Sequence, residues 1–399
     1  MQLIALVCLC VILIWFYIFF NRYKEYGGNV FLNPILYLSG TSILYLLLPI
    51  VVIYGLKVNN QMLEYSSGSD HLNSLISLYT VSVFVFFYWV SIENKNKPII
   101  NKNINLNFIY VILILICIYF VHLSMAYKDV LGNIIFREDK YKFFNDVIMA
   151  TNPKILLLSK ISGLLIAFCF LSKKKLWVIL FAIPFLYFDS LIKGRSITLY
   201  SILPLLIVIL FYYYRYFLLI ISLMISILGL MSLFREVTYG NVFFTMFGEF
   251  FATRESTSFV IDRNLHDSFI HLLSNFSYSF LPSFIANKLN FYSITAYTSQ
   301  LEGLINGSIG FSGNIVGEAY FYGGYWFALL NPFIISAIYL FVQKMGMDNK
   351  YKILYIIMLC SYSIWFMRSE FYVTFASLTS MFIIYICPFL LISRMKKSV

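Results

Sequence analysis

Long apolar stretches alternate with short polar connectors along the whole chain. About eleven of these stretches are long enough to cross a bilayer, which takes about 20 residues at about 1.5 Å rise per residue. They lie at roughly residues 2–20, 33–55, 72–92, 106–126, 155–172, 176–192, 197–214, 216–234, 317–342, 353–369 and 371–392. Continuous apolar runs of this length are typical of membrane helices, whereas the strands of a membrane β-barrel alternate apolar and polar residues. The pattern therefore predicts an all-α, polytopic integral membrane protein with about 11 transmembrane helices.

The charges of the connectors give a second test of this count. Basic residues fall on every second connector: Arg22 and Lys24; Lys95, Lys97 and Lys102; Lys173, Lys174 and Lys175; Arg215; Lys344, Lys350 and Lys352; and Arg394, Lys396 and Lys397. By the positive-inside rule these connectors face the cytoplasm. We therefore expect an odd number of spans, with the N-terminus outside and the C-terminus in the cytoplasm. The first stretch has no basic residue before it and no cleavage site of small residues after it, so we expect it to be a retained span.

Composition supports the membrane interpretation and excludes several partners. The chain is 61% apolar and 12% charged, whereas soluble domains contain about 25% charged residues. Its net charge of +11 is carried by short basic runs beside apolar stretches, as in topology signals, so we expect no nucleic-acid partner. The six cysteines and four histidines form no spacing typical of metal ligands, and we expect neither a metal site nor a cofactor.

The spans divide the chain into three parts. Residues 1–234 hold the first eight predicted spans, residues 235–313 form a large connector on the outer side, and residues 314–399 hold the last three. A connector of this length is uncommon unless it is functional or disordered, and this one is rich in Phe and Tyr. We therefore predict short amphipathic helices that lie on the mouth of the bundle.

Arg195 is the first candidate for chemistry. It follows Gly194 at the start of a predicted helix, on the outer turn that also holds Asp189 and Lys193. The acid and the lysine stand four residues apart, a spacing that favours a helical ion pair. Backbone N–H groups at a helix start favour an anion, and an arginine there can bind phosphate through two parallel hydrogen bonds. The alternative is that Arg195 extends its side chain to the membrane interface.

A glycine-rich segment precedes the ninth predicted span. Seven of the 19 glycines lie in it: Gly303, Gly307, Gly310, Gly313, Gly317, Gly323 and Gly324. This density predicts that the backbone turns sharply or approaches another group closely. Glu318 enters the span from this segment, either as a general base or acceptor for a sugar hydroxyl, or as a carboxylate at a helix N-terminus.

The remaining candidates also lie on the outer side. Arg368 precedes the last span with Glu370 beside it, and a cation on the outer side favours an anionic partner there. Arg254 follows the aromatic run GEFFA in the large connector, and Glu249 and His266 are weaker candidates in the same connector. We expect most other charges of this connector to be solvated or paired.

Three short motifs and the layout carry a resemblance to a family. They are GRSITLYSILPLL at Gly194–Leu206, GFSGNIVGEAYFYGGYW at Gly310–Trp326 and FMRSEF at Phe366–Phe371, with a large outer connector before the second. Together they resemble the O-antigen polymerase (Wzy) family of the bacterial inner membrane. The resemblance implies a GT-C-like membrane glycosyltransferase architecture with one large periplasmic loop. It also implies transfer of a growing glycan from undecaprenyl diphosphate onto another lipid-linked repeat unit, on the periplasmic face.

The resemblance assigns roles to some of these candidates. Arg195 and Arg368 match the family motifs and would hold the charge that develops on the diphosphate. Glu318 would take the proton of the acceptor hydroxyl, with His266 and Glu249 as weaker candidates. The expected partners are undecaprenyl-diphosphate-linked oligosaccharides, membrane lipid and a chain-length regulator protein. Arg254 is a substrate-binding candidate from its own sequence context rather than from the family.

Other classes of function remain open at this point. A flippase or exporter of lipid-linked oligosaccharide would show matching broken helices in two halves and charges near the bilayer midplane. The sequence shows no such matching pair, and apart from Lys160 the charges gather at the outer ends. An O-antigen ligase shares the expected architecture, and a purely structural membrane protein would not need the outer arginines.

Overall fold

The computed structural model describes residues 1–56, 70–93, 106–134, 137–173, 176–233, 242–289, 313–344 and 349–395. Within these ranges the regular backbone is helical, with no strand. The helices are α1 (Gln2–Tyr26), α2 (Pro34–Gly55), α3 (Asp70–Val90), α4 (Leu106–Asn133), α5 (Arg137–Phe143), α6 (Ile155–Lys173), α7 (Ile183–Leu191), α8 (Ser196–Tyr212), α9 (Phe217–Leu233), α10 (Val242–Asp262), α11 (Phe269–Phe280), α12 (Ser283–Lys288), α13 (Ile315–Lys344), α14 (Lys350–Arg368) and α15 (Phe371–Ile392). The predicted class, an all-helical polytopic membrane protein, is confirmed.

Seven helices of the described chain are long and apolar enough to cross a membrane on their own. They are the helices that begin at Gln2, Pro34, Asp70, Leu106, Ile155, Ile315 and Phe371. Helices α8 and α9 together would make an eighth, but their axes turn by 107° where they meet. The other two predicted stretches are also helical, although the apolar helix Trp177–Leu191 is short.

Contacts between connectors define one end of the bundle, which we call the Arg22 end. Arg22 is paired with Glu93 across a distance of 2.9 Å. Gln343 donates to the carbonyl of Ile92 at 2.8 Å, and Tyr23 donates to the carbonyl of Tyr214 at 3.0 Å. These contacts bring together residues from the ends of α1, α3, α8 and α13. The predicted basic connectors around Arg22, Arg215 and Lys344 therefore share one end, as their alternation along the chain requires.

The opposite end, which we call the Glu318 end, is defined by contacts between described residues of other connectors. Glu318 accepts a hydrogen bond from the backbone of Phe371 at the start of α15. Arg254 of α10 pairs with Asp70 at the start of α3. Within its described residues, the predicted outer connector, residues 235–313, contains the three helices α10, α11 and α12. Helix α11 exposes Phe269, Ile270, Leu273 and Phe280 while it buries Leu272 and Asn275, so its exposed side is largely apolar.

Helix α13 is broken and does not form the single straight span predicted for residues 317–342. Gly323 and Gly324 have non-helical dihedrals, and φ is +62° at Gly324. The side chain of Asn331 donates to the carbonyl of Ile315 at 3.2 Å, although 16 residues of straight helix would separate them by about 24 Å. The chain therefore folds back at the two glycines. Residues 315–322, which we call the half-helix, are buried.

Candidate functional site

Three cations from different helices lie towards the Glu318 end. Lys160 is on α6, Arg195 is the residue before α8, and Arg368 is the last residue of α14. Helices α6, α8 and α14 pack against one another, and all three side chains are partly exposed. The structure therefore brings the predicted Arg195 and Arg368 to one corner of the bundle and adds Lys160 to them.

An aromatic cluster joins the helices that carry these cations. The Tyr200 and Trp365 rings stack with centroids 4.1 Å apart, and the ammonium of Lys160 lies 4.7 Å from the Tyr200 centroid. Tyr362 donates to the carbonyls of Lys160 and Tyr200, both at 3.2 Å. Cation–π contact stabilises an ammonium without neutralising it. The corner is thus a cationic surface on a fixed aromatic base.

The start of α8 is already capped by a carboxylate of the chain. Asp189 is buried, and its Oδ2 accepts from the backbone N–H of Thr198 at 2.6 Å. Helix α7 ends at Leu191, and Lys193 has a positive φ of 50°. Asp189 and Lys193 therefore do not lie on one helix, although their spacing in the sequence favours a helical pair. An external anion would meet the Arg195 side chain rather than an open helix N-terminus.

Glu318 lies on the half-helix and caps another helix. Its two carboxylate oxygens accept from the backbone N–H groups of Phe371 at 2.7 Å and Tyr372 at 3.3 Å. It is fully buried. The half-helix itself is capped by Asn314, whose Oδ1 accepts from Val316 and Gly317 at 3.0 and 2.9 Å. Of the two predicted roles, the geometry favours helix capping, but the capped helix is α15 rather than the helix that carries Glu318.

The Arg368–Glu370 turn joins the cationic corner to this buried carboxylate. Arg368 ends α14, and Glu370 precedes the first residue of α15 and is buried. Ser369 closes the turn through a backbone hydrogen bond to Trp365 at 2.9 Å and a side-chain contact with Thr374. By capping α15, Glu318 fixes the turn that presents Arg368 to the cationic corner.

Arg254 is a buried side chain with an internal partner. Its Nη2 lies 2.5 Å from Asp70 Oδ1 and 2.8 Å from Ser74 Oγ, so it joins α10 to the start of α3. Its Nη1 is buried without a hydrogen-bond partner in the described chain. Burial, with a smaller effect of Asp70, raises the pKa of the neighbouring Glu255 to about 7. This geometry gives Arg254 a bracing role between helices.

His266 and Glu249 belong to the predicted outer connector and not to the helices that carry the cationic corner. The exposed His266 ring is 5.1 Å from the Tyr320 ring and beside Gly324, and its Nε2 is 2.7 Å from Asn264 Oδ1. It therefore lies at the turn where the half-helix ends. Glu249 belongs to α10, and its side chain lies outside the described residues.

Several site residues were not predicted from the sequence. Asp70 gains its role from Arg254, which lies 184 positions away in the chain, and no local motif signals that pairing. Asn314 caps the half-helix locally, through Val316 and Gly317. The sequence marks Glu370 only as a neighbour of Arg368. Lys160 did carry a signal, because an ionisable residue within an apolar stretch is a functional candidate by itself. Among the described residues, no three His, Cys, Asp or Glu side chains come together as a possible metal site.

Comparison with family models, with curated proteins and with solved structures found no match for this chain. Its function therefore has to be argued from the geometry of the site and the properties of the sequence.

Proposed function

We propose that this chain polymerises undecaprenyl-diphosphate-linked repeat units of O-antigen or a related surface polysaccharide. The observation that supports the proposal is the cationic corner, where Lys160, Arg195 and Arg368 come from three packed helices at one end of the bundle. Glycosyl transfer from a lipid diphosphate releases an anionic leaving group. Fixed cations at that position stabilise the charge that develops as the glycosidic bond breaks.

In this proposal the site side chains have separate roles. Arg195 and Arg368 bind the leaving diphosphate, for which the planar guanidinium offers parallel hydrogen bonds. His266 is the remaining candidate base for the acceptor hydroxyl, because it is exposed beside Gly324, where the half-helix that carries Glu318 ends. Glu318 has both oxygens engaged by backbone N–H groups, so it positions the Arg368–Glu370 turn instead of acting as the base.

The proposal includes a place and an orientation in the cell. The Glu318 end faces the periplasm and the Arg22 end faces the cytoplasm of a bacterial inner membrane, with the N-terminus periplasmic. All eleven apolar stretches cross in a GT-C-like arrangement. A reporter fused near Asn275 should be active only outside, and one fused after Lys175 only in the cytoplasm. A cytoplasmic Asn275 reporter would contradict a periplasmic polymerase.

Deletion of the gene provides the direct test. Single repeat units should still be capped onto the lipopolysaccharide core, because flipping and ligation continue without polymerisation. The ladder of longer polymers should disappear on a gel and return with the intact gene. Loss of all surface repeat units would instead indicate a flippase or a ligase.

A transporter of lipid-linked oligosaccharide is the second candidate, and one observation favours it. Transporters often bind substrate where a helix is broken within the membrane, and α13 breaks and folds back at Gly323 and Gly324. The three cations of the cationic corner, Lys160, Arg195 and Arg368, lie towards one end of the bundle, which favours a one-sided site. Flipping of a fluorescent lipid-linked oligosaccharide in vesicles that contain only this protein would support the transporter.

A further inference from the structure

Lys160 lies deeper in the bundle than either arginine of the cationic corner. It is five residues into α6 from Ile155, which places it about 8 Å along the helix from that end. Arg195 precedes Tyr200 by five residues, and Arg368 follows Trp365 by three. Because the Lys160 ammonium contacts the Tyr200 ring and that ring stacks on Trp365, both arginines lie closer to the Glu318 end. The Cα positions of the three residues are therefore staggered along the bundle axis.

The ammonium of Lys160 has no carboxylate partner in the described part of the chain, and the Tyr200 ring is its contact. A cation within an apolar span is costly unless it has a partner or a function. The Lys160 residue is partly exposed at the surface of the described chain. Its surroundings thus leave the positive charge without a carboxylate among the described residues.

The position of Lys160 is fixed by close helix packing. A Cβ added to Gly163 would lie 2.2 Å from the carbonyl oxygen of Tyr200, so this glycine permits the close approach of α6 and α8. Tyr362 adds two hydrogen bonds, to the carbonyls of Lys160 and Tyr200. Such pre-positioning lowers the entropy lost when a ligand binds.

We propose that Lys160 binds the lipid-linked phosphate of a polyprenyl diphosphate, while Arg195 and Arg368 bind the phosphate attached to the sugar. This inference rests on the proposed function. The prenyl-linked phosphate of such a lipid lies nearer the hydrocarbon, and the sugar-linked phosphate lies farther out, which matches the stagger of the three cations. Lys160 is then the group that distinguishes a diphosphate carrier from a monophosphate carrier.

Binding to the full-length protein in nanodiscs tests the inference without requiring turnover. The probes are undecaprenyl diphosphate, undecaprenyl phosphate and inorganic pyrophosphate. Lys160→Met should weaken binding of the lipid diphosphate about tenfold, as expected for loss of a charged hydrogen-bond donor, and change binding of the monophosphate little. Lys160→Arg, which keeps the charge, should retain most of the preference. The matched control is Lys154→Met, because Lys154 is an exposed lysine just before the same helix.

Each other outcome has a distinct meaning. An unchanged preference for the lipid diphosphate in both Lys160→Met and a second neutral variant, Lys160→Gln, would overturn the inference and leave the proposed function standing. Wild-type protein that binds neither lipid would contradict the proposed function itself. If pyrophosphate alone binds as tightly as the lipid and depends equally on Lys160, the site takes free phosphate and the assignment to a lipid is wrong.

Discussion

Arg22 and Lys160 are both cations within apolar helices of the bundle, and their surroundings differ. The guanidinium of Arg22 donates to the Ser91 side chain, to Glu93 and to the carbonyls of Trp89 and Ser91. Asn33 donates to the same Glu93 oxygen at 2.8 Å. The Lys160 ammonium contacts only an aromatic ring among the described residues.

The difference separates a structural charge from one that is available to a ligand. A buried ion pair with its hydrogen bonds satisfied holds helices together, and removal of one partner leaves an uncompensated charge. A cation on an aromatic surface keeps its charge for another molecule. We therefore expect substitutions at the Arg22 end to change stability and substitutions at the cationic corner to change activity.

The largest effect is expected for Arg195→Ala. If Arg195 stabilises the leaving diphosphate, its loss should lower the rate about a hundredfold or more, by analogy with removal of an oxyanion donor. Arg195→Lys keeps the charge without the planar fork and should be impaired less. The measurement is the ladder of polymer lengths, with protein amount followed by an epitope tag. Arg263→Ala is the control, because Arg263 is an exposed arginine on the same predicted outer side. A full ladder from Arg195→Ala would remove this residue from the site.

Arg22→Ala should be the strongest stability variant of the opposite end. It leaves Glu93, which is 3% exposed, without its cation, and such losses cost about 3–5 kcal/mol. Thermal unfolding in detergent should show a lower midpoint, with Lys24→Ala as an exposed control. Adding Glu93→Gln to Arg22→Ala should recover part of the loss because it removes the unpaired charge. Unchanged stability of Arg22→Ala would contradict the structural role.

Glu318→Gln tests whether capping or base chemistry dominates. A glutamine oxygen still accepts one backbone N–H of α15, so the loss of stability should stay near about 1 kcal/mol, the usual cost of a weakened cap. Turnover should fall only a few-fold, since the Arg368–Glu370 turn shifts slightly. Both quantities can be measured on the same purified variant. A hundredfold loss of turnover at full stability would instead make Glu318 the base.

The last prediction is a pH dependence at the Arg22 end. Burial raises the pKa of Glu93 from 4.5 to about 7, although Asn33 and Arg22 oppose the shift. A raised pKa means that the folded state binds the proton more tightly, so this contribution to stability is full below pH 4.5 and is lost as the pH rises to about 7. The difference in thermal midpoint between wild type and Glu93→Gln should follow this course. If the difference in thermal midpoint stays constant between pH 4.5 and 7, a group other than Glu93 titrates in this range. The comparison variant is Glu255→Gln, because the pKa of Glu255 is also raised to about 7.

Local composition predicted much of the fold. Each apolar stretch became a helix because hydropathy and length act over neighbouring residues, and the basic connectors indicated which helix ends lie together. The glycine cluster also indicated a sharp turn, which the structure has at Gly323 and Gly324. The fold-back was not predictable, since it depends on a contact between Asn331 and Ile315 across that turn.

The candidate site was predicted less completely than the helices. Arg195 and Arg368 were identified from their positions beside helix ends, and the structure brings both to one corner. The capping role of Glu318 for α15 and the pairing of Arg254 with Asp70 join residues 53 and 184 positions apart. No local pattern encodes such pairs, because a carboxylate or guanidinium takes whichever partner the packed helices bring to it.

The sequence by itself determined the class of this protein, its helical stretches and the alternation of its connectors. These follow from the cost of placing polar backbone and charge in hydrocarbon, which each segment meets independently of the others. Tertiary structure decided which charges are used internally and which remain available. Arg22, Arg254 and Glu318 found partners on other helices, whereas the Lys160 ammonium found only an aromatic ring within the described chain. The physical reason is that a side chain's partners are set by the three-dimensional packing of distant segments.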